Sequence, residues 1–149
     1  GIPAEHVADV HAHLWAKVFY NAALNPLGAL LGLPYGALAA DADARAIMDD
    51  VIEEGYAVAR ARGVVPAVAT ADAYRVIFYE RLVPPTAHHR SSMLQDLERG
   101  GRTEIDAING ALWAFGREAG VATAVNATLT RLVRWRERLG VLQSARARS

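Results

Sequence analysis

Apolar residues recur along this chain at steps of three and four, the period of a helix that buries one side. Over residues 4–24 the steps run through Val7, Val10, Leu14, Trp15 and Val18. Pro26 suits the first turn of a following helix, where its missing N–H is no loss, and bends the path at Asn25. Leu27, Leu30, Leu31 and Leu33 continue the apolar side, and Gly36 closes the unit. A second period, capped by Asp41 or Asp43, carries Ile47, Val51, Ile52, Gly55, Val58 and Ala59 towards Arg62 and stops at Gly63. Its acidic residues Asp49, Asp50, Glu53 and Glu54 read as a solvated face. A third helix is expected over residues 70–82, with Thr70 as cap and an end before Pro84-Pro85. A short fourth runs through Met93, Leu94 and Leu97 to the Gly100-Gly101 break. Thr103 caps a fifth, with Ile105, Ile108, Leu112, Phe115 and Ala119 inward and Gly120 at its end. The last spans residues 123–139, with Leu129, Leu132, Val133 and Trp135 inward, and residues 144–149 read as frayed. No strand–turn–strand pattern or short repeat interrupts this series, so the predicted class is all-α, a helical bundle.

Inside the first of these runs a thin polar seam stands out. Lys17, Asn21 and Asn25 follow at i, i+4 spacing. Each step turns about 40° past a full circle, so the three form one narrow stripe on one side of a helix. Leu14, Trp15, Ala16, Val18, Phe19, Ala22, Ala23 and Leu24 occupy the rest of the circumference, whereas a surface helix has a wide polar face. Among the 16 lysine and arginine residues Lys17 is the one lysine. An ammonium can give up its proton and a guanidinium effectively cannot. Burial in the apolar helix would favour the neutral amine, which suits proton transfer. The structural alternative is a lysine snorkelling to solvent from a core helix.

Composition narrows the rest. The chain has 149 residues, 52% hydrophobic and 21% charged, which fits one folded domain. Its formal net charge is +0, so no overall electrostatic case exists for nucleic acid or for an anionic membrane. Cysteine is absent, which excludes disulfides and thiolate metal sites and suits a reducing cytoplasm. No charge occurs over residues 18–40, but two asparagines, two prolines and Gly28, Gly32 and Gly36 break that run into two packed helices and a turn, not a membrane span. The opening Gly-Ile-Pro-Ala-Glu-His has neither the basic nor the apolar part of a secretory signal, and the absence of an initiating Met suggests a fragment or processed product.

Two further polar groups could carry chemistry. Ser91-Ser92 opens a short helix, where a hydroxyl and free N–H groups seat a carboxylate, although such serines are commonly caps. Glu104, Asp106 and Asn109 gather at another helix start, where acidic residues also belong for structural reasons. A metal centre is not expected: His11 and His13 lie about 200° apart on a helix, His6 is isolated, and His88-His89 has no chelating partner at helical spacing. Arg131, Arg134, Arg136 and Arg138 read as a solvated face, with a phosphate seat as the alternative.

Three motifs, in order, resemble the C-terminal domain of ketopantoate reductase (2-dehydropantoate 2-reductase). They are K-x-x-x-N-x-x-x-N-P-L-x-A-L at residues 17–30, S-S-M-L-Q-D at residues 91–96 and R-T-E-I-D-A-I-N-G at residues 102–110, and the likeness covers roughly residues 10–138. The resemblance implies an all-helical domain like those of 6-phosphogluconate dehydrogenase relatives, following an N-terminal Rossmann domain that binds NADPH. It implies reduction of ketopantoate to (R)-pantoate in pantothenate and coenzyme A biosynthesis, in the cytoplasm, with a homodimer among the expected assemblies. Lys17 matches the catalytic lysine that protonates the ketone oxygen. Asn21 and Asn25 match substrate-binding residues, Ser92 the serine that holds the substrate carboxylate, and Glu104 the glutamate that meets the substrate hydroxyl. The sequence departs from the pattern where Ala124 stands in place of a common proline, and His88-His89 has no counterpart with an assigned role. No strand–G-x-G-x-x-G–helix unit occurs in the 149 residues, so an excised domain, inactive without its cofactor domain, is expected. The alternatives are a non-catalytic helical interaction or dimerisation module, or a reductase of another 2-oxo acid.

Overall fold

The apolar run that opens the chain becomes a single helix. In the computed structural model, which describes the backbone of residues 4–149 and the side chains of residues 12–149, α1 spans Ala4–Leu31 with Pro26 inside it. The side chains of His6, Val7, Val10 and His11 lie outside the described residues. The expected division into two helices does occur, but at Gly32, whose φ of +67° turns the chain into α2 (Tyr35–Ala40).

Pro26 passes through α1 because its defect is filled from elsewhere. A proline inside a helix leaves the carbonyl four residues earlier without its N–H, at a cost of about 3 kcal/mol. That carbonyl belongs to Ala22, which is fully buried. Asn109 Nδ2 donates to it at 3.0 Å and also donates to Asn126 Oδ1 at 3.0 Å. Asn109 and Asn126 are themselves fully buried. The missing main-chain donor is thus replaced by a side-chain amide 87 residues away in sequence. The bend expected at Pro26 is absorbed within one continuous helix.

The remaining elements pack around α1. Asp41 caps α3 (Ala42–Ala61), accepting from the N–H groups of Asp43 and Ala44. Thr70 caps α4 (Ala71–Ile77), which widens into a π-helical turn over Phe78–Leu82 and then tightens into a 3₁₀ turn over Pro84–Thr86. Ser91 caps α5 (Ser92–Glu98). A 3₁₀ turn at Ile105–Ala107 precedes α6 (Asn109–Ala119), and α7 (Ala124–Arg148) completes the chain. Thr103 therefore opens the 3₁₀ turn instead of capping one long helix: its Oγ1 accepts from Ile105 N–H and donates to Glu137. No strand occurs among the described residues, and the fold is all-α. No helix among them is long and apolar enough to cross a membrane.

Phe19 sits at the centre of the main core. Its ring stacks on Tyr56 with centroids 4.5 Å apart and meets the edge of Tyr74 at 5.6 Å. Full burial of such a side chain contributes about 2–3 kcal/mol. Tyr74 also donates its hydroxyl to Ala16 O at 3.0 Å, fastening α4 to α1 next to Lys17. A smaller cluster of Ala29, Met93, Leu94, Ile105 and Val133 holds α5 between α1 and α7. Some inward assignments fail. Ile47, Leu132 and Trp135 are exposed, as is Ala119, while Met48 and Tyr56 are fully buried. The helical period marks an apolar side; the neighbours that α3 and α7 meet decide which part of it is covered.

The acidic side of α3 is not simply solvated. Asp49 accepts from Tyr79 OH at 2.7 Å. Glu54, half-buried, accepts from the N–H of Val125 at 2.8 Å and of Asn126 at 3.1 Å, so a carboxylate from α3 caps α7. Burial raises the Glu54 pKa, and the hydrogen bonds from Asn126 and Val125 only partly oppose this. At the other end, α7 continues through residues 144–148, where fraying was expected.

Two outcomes are expected. Asn109→Ala strands the Ala22 carbonyl and the Asn126 amide oxygen and should cost about 2–4 kcal/mol. The cost should be smaller in a Pro26→Ala background, where a main-chain N–H returns, and denaturant titration of the double-mutant cycle reads this coupling directly. For Glu54, a raised folded pKa means that its protonated form favours folding. That contribution is fully present below the ordinary carboxylate pKa and fades as pH rises through the raised value. Glu54→Gln, which keeps an acceptor without the charge, should therefore gain stability relative to the parent between pH 4 and pH 7 in paired thermal melts.

Candidate active site

A cleft of about 560 Å³ opens along the middle of α1. Ala16, Lys17, Tyr20 and Asn21 form one wall, with Leu82 and Thr86 opposite. The i, i+4 stripe thus brings Lys17 and Asn21 into one cleft. Lys17 is exposed, so the burial expected of it is not supplied by this chain; the helix is apolar on the faces turned to α3 and α4, and Lys17 leaves it on the open side. Asn21 is half-buried.

Tyr20 and Thr86 complete the cleft and were not singled out from the sequence. Their hydroxyls lie 2.8 Å apart. Thr86 Oγ1 also donates to the carbonyl of Leu82 or Val83, each at 3.1 Å. With its one hydrogen so placed, the phenol donates to Thr86. The Tyr20 ring is held edge-on against Tyr35 and Phe78, with centroids 6.2 and 6.0 Å away. Tyr20 lies three residues from Lys17, so the helical period places it near the cleft; nothing in the sequence brings Thr86 there.

Asn25, the third member of the stripe, is buried at 6% exposure and is not part of the cleft lining. Its Oδ1 accepts from Tyr35 OH at 2.8 Å and from Ser91 Oγ at 3.1 Å. Ser91 is fully buried, and its Oγ accepts from the N–H groups of Met93 and Leu94. The absence of a side chain at Gly28 permits this approach, since a Cβ there would stand 3.2 Å from Ser91 Cβ. The two serines of the motif therefore differ: Ser91 is the internal cap, and Ser92 is exposed in the first turn of α5. Glu104 is exposed just before the Ile105–Ala107 turn and, like Ser92, is not among the residues that line the Lys17 cleft.

The other candidates resolve into structural roles. Asp106 pairs with Arg134 at 2.6 Å. Arg117, Arg131 and Arg134 surround the ring of Trp113, at 4.6, 4.7 and 5.6 Å from its centroid, so part of the arginine cluster packs on an aromatic face. His89 acts through its carbonyl, which accepts from Tyr35 N–H at 3.1 Å and fixes the start of α2. Among the described residues no group of three or more His, Asp or Glu is placed to hold a metal. Among the described residues there is no strand and no glycine-rich phosphate turn, so they build no Rossmann-type dinucleotide unit. The cleft offers a cation, an amide and an apolar floor, a set suited to a small anionic ligand.

Comparison with known proteins places the chain in a family. Residues 9–137 match the model of the family described as ketopantoate reductase PanE/ApbA C terminal. The chain is 42% identical over 137 residues to the 2-dehydropantoate 2-reductase of Aquifex aeolicus, covering 92% of this chain and 44% of that protein. Against the corresponding enzyme of Archaeoglobus fulgidus it is 39% identical, covering 90% of this chain and 43% of the relative. The chain thus spans less than half the length of these curated relatives. Among solved structures, a PanE/ApbA family ketopantoate reductase from Ralstonia eutropha superposes with a TM-score of 0.77 at 39% identity, covering 87% of this chain and 42% of that one. A D-mandelate dehydrogenase bound to NADH and anilino(oxo)acetate also gives 0.77, at 29% identity, with 89% and 42% covered. On the matched span and these identities, the chain belongs to the ketopantoate reductase C-terminal domain family.

Proposed function

We propose that this chain is the substrate-binding and catalytic domain of a 2-dehydropantoate 2-reductase, with Lys17 as the general acid. The observation that carries the reading is the single lysine of the chain, set beside Asn21 in an open, largely apolar cleft on α1. Reducing a ketone places negative charge on its oxygen. An ammonium within reach lowers the barrier first by its charge and then by transferring its proton to that oxygen. Asn21 offers an amide to the substrate from the cleft wall; Asn25, one turn on, takes a substrate-binding part only by its match to the family motif. Ser92 holds the substrate carboxylate and Glu104 meets its hydroxyl, roles carried from the family motifs that these residues match.

The hydride comes from NADPH, bound by a Rossmann domain outside these residues. In this reading the exposure of Lys17 has a purpose: the cleft is open on one side here, and its cover is contributed by the cofactor-binding domain. Closure of the two would exclude water from the lysine and strengthen its interaction with the developing alkoxide. The D-mandelate dehydrogenase likeness favours a second reading, a reductase of another 2-oxo acid, because the same fold accommodates a different oxo acid there.

The test uses the full gene product with NADPH and a panel of 2-oxo acids that includes ketopantoate. Lys17→Ala, with helicity and melting temperature retained, should lower kcat by about 10²- to 10⁴-fold, the usual range for a positioned acid. Lys17→Arg, which keeps the charge but holds its proton, should leave KM near that of the parent and kcat close to that of the alanine variant. Undiminished turnover in Lys17→Ala sinks the assignment. The substrate with the highest kcat/KM separates the ketopantoate reading from the alternative.

A further inference from the structure

Lys17 and Asn21 belong to one wall of the cleft; facing them is Leu82, with Thr86 beside it. Leu82 stands there because α4 ends in a π-helical turn. In an uninterrupted α-helix a residue four places past another shares its side, so Leu82 would follow the fully buried Phe78 inward. Instead the N–H of Val83 donates to Phe78 O at 2.9 Å, five residues back, and it is Val83, 2% exposed, that turns into the core. The extra residue in the turn leaves Leu82 half-buried at the cleft. Such widened turns are frequent at functional sites.

Tyr20 lines the same cleft from α1, and its ring is held from two directions. It lies edge-on against Tyr35 and Phe78, and its hydroxyl is 2.8 Å from Thr86 Oγ1. The arrangement that places both hydroxyl hydrogens has the phenol donating to Thr86, and Thr86 to the carbonyl of Leu82 or Val83. Neither hydroxyl then has a hydrogen to offer a ligand. Among the described residues that line the cleft, Lys17 carries the one cation.

A 2-oxo acid reduced there has a constrained pose. Its ketone carbon is trigonal, so the oxygen, the carboxylate carbon and the remaining substituent share a plane, and hydride arrives from one side of it. With the oxygen on Lys17 and the hydride donor over the open side, the opposite side of that plane rests on the closed part of the cleft. The substituent there meets Tyr20 and Leu82. Hydrocarbon gains contact with both. A second carboxylate finds neither a cation nor a donor hydrogen on that wall, and loses its water without compensation.

Resting on the reductase reading above, we propose that Tyr20 and Leu82 are specificity-determining residues. They form a fixed apolar seat for the carbon substituent of the 2-oxo acid, admitting an uncharged substituent and rejecting one that ends in a carboxylate. Thr86 acts through Tyr20, as a positioning residue. Leu82 and Thr86 lie outside the three motifs of the chain, and Tyr20 falls on an unspecified position of the first.

The full gene product, assayed with NADPH, tests this through ratios of kcat/KM between substrates, in which any loss of folded protein cancels. The reference substrate is whichever of ketopantoate and 2-oxoisovalerate the parent reduces better. The parent should favour it over 2-oxoglutarate, which ends in a carboxylate, at least about 100-fold. Leu82→Arg sets a guanidinium at the seat and should raise the ratio of 2-oxoglutarate to the reference at least about 30-fold. Leu82→Ala enlarges the seat and should raise the ratio for phenylglyoxylate, with its larger flat ring, about 10-fold. Tyr20→Phe frees the ring from Thr86 and should raise the reference KM about 3- to 10-fold while leaving the KM for NADPH unchanged, a split that a merely structural bond would not give. A parent that reduces 2-oxoglutarate within about tenfold of the reference overturns the proposal, as does either ratio staying within about threefold of the parent's in its Leu82 variant. Tyr20→Phe moving both Michaelis constants alike, or neither, overturns the part given to Thr86. Should Leu82→Arg not fold, Leu82→Ala decides alone. Failure of the parent to reduce any 2-oxo acid would instead sink the reductase reading, and it shows before any variant is compared.

Discussion

The fold depends on one buried hydrogen bond, from Asn109 Nδ2 to the carbonyl of Ala22. Pro26 removes the main-chain donor that this carbonyl would have, inside the helix against which α2, α3, α5 and α7 pack. A fully buried carbonyl without a donor costs as much as a sizeable share of a domain's net stability. By supplying the donor from α6, the protein keeps α1 continuous across Pro26 and ties it to the start of α6. Asn109 also binds Asn126, and Glu54 caps the N–H groups at the start of α7. Four elements, α1, α3, α6 and α7, therefore meet at one polar knot beside the proline.

That knot has a consequence for the cleft. Lys17 and Asn21 lie on the turns before Pro26, and Asn25 immediately precedes it. Because the helix continues through the proline, the three side chains keep a common stripe, which a break at residue 25 would have lost. The aromatic core works to the same end from the opposite side. Phe19, Tyr56 and Tyr74 pack together, and Tyr74 bonds the Ala16 carbonyl, one residue from Lys17. A short polar seam is thus held between a rigid aromatic layer and a buried polar knot, in which Asn109 Oδ1 alone among the described residues' enclosed side-chain polar atoms has no partner.

Along that seam the polar groups differ in how far they are committed. Asn25 is engaged on its oxygen by two hydroxyls; Tyr20 and Thr86 are engaged with each other and with the main chain. Lys17 and Asn21 face the open cleft. The fixed groups set the shape and the direction of donors, and the open ones are left for a ligand. Preorganisation of this kind lowers the entropy that binding would otherwise cost.

The sequence by itself determined the class and the material of the site. The helical period, the caps at Asp41, Thr70 and Ser91, and the glycine ends at Gly63 and Gly120 are local signals, set by backbone sterics and by hydrogen bonds within a few residues. The Lys17–Asn21–Asn25 stripe is equally local, since a spacing of four residues fixes it on any helix. Tertiary structure decided what local signals could not. Whether Pro26 breaks a helix depends on a donor 87 residues away. Whether Glu54 is solvated depends on where α7 begins, and whether Lys17 is buried depends on which elements cover its side of α1. Ser91 and Ser92 are indistinguishable as neighbours in a motif, yet one turns inward to Asn25 and the other outward. Periodicity states which side of an element is apolar; only the packing of distant elements states what that side, and each polar atom along it, will meet.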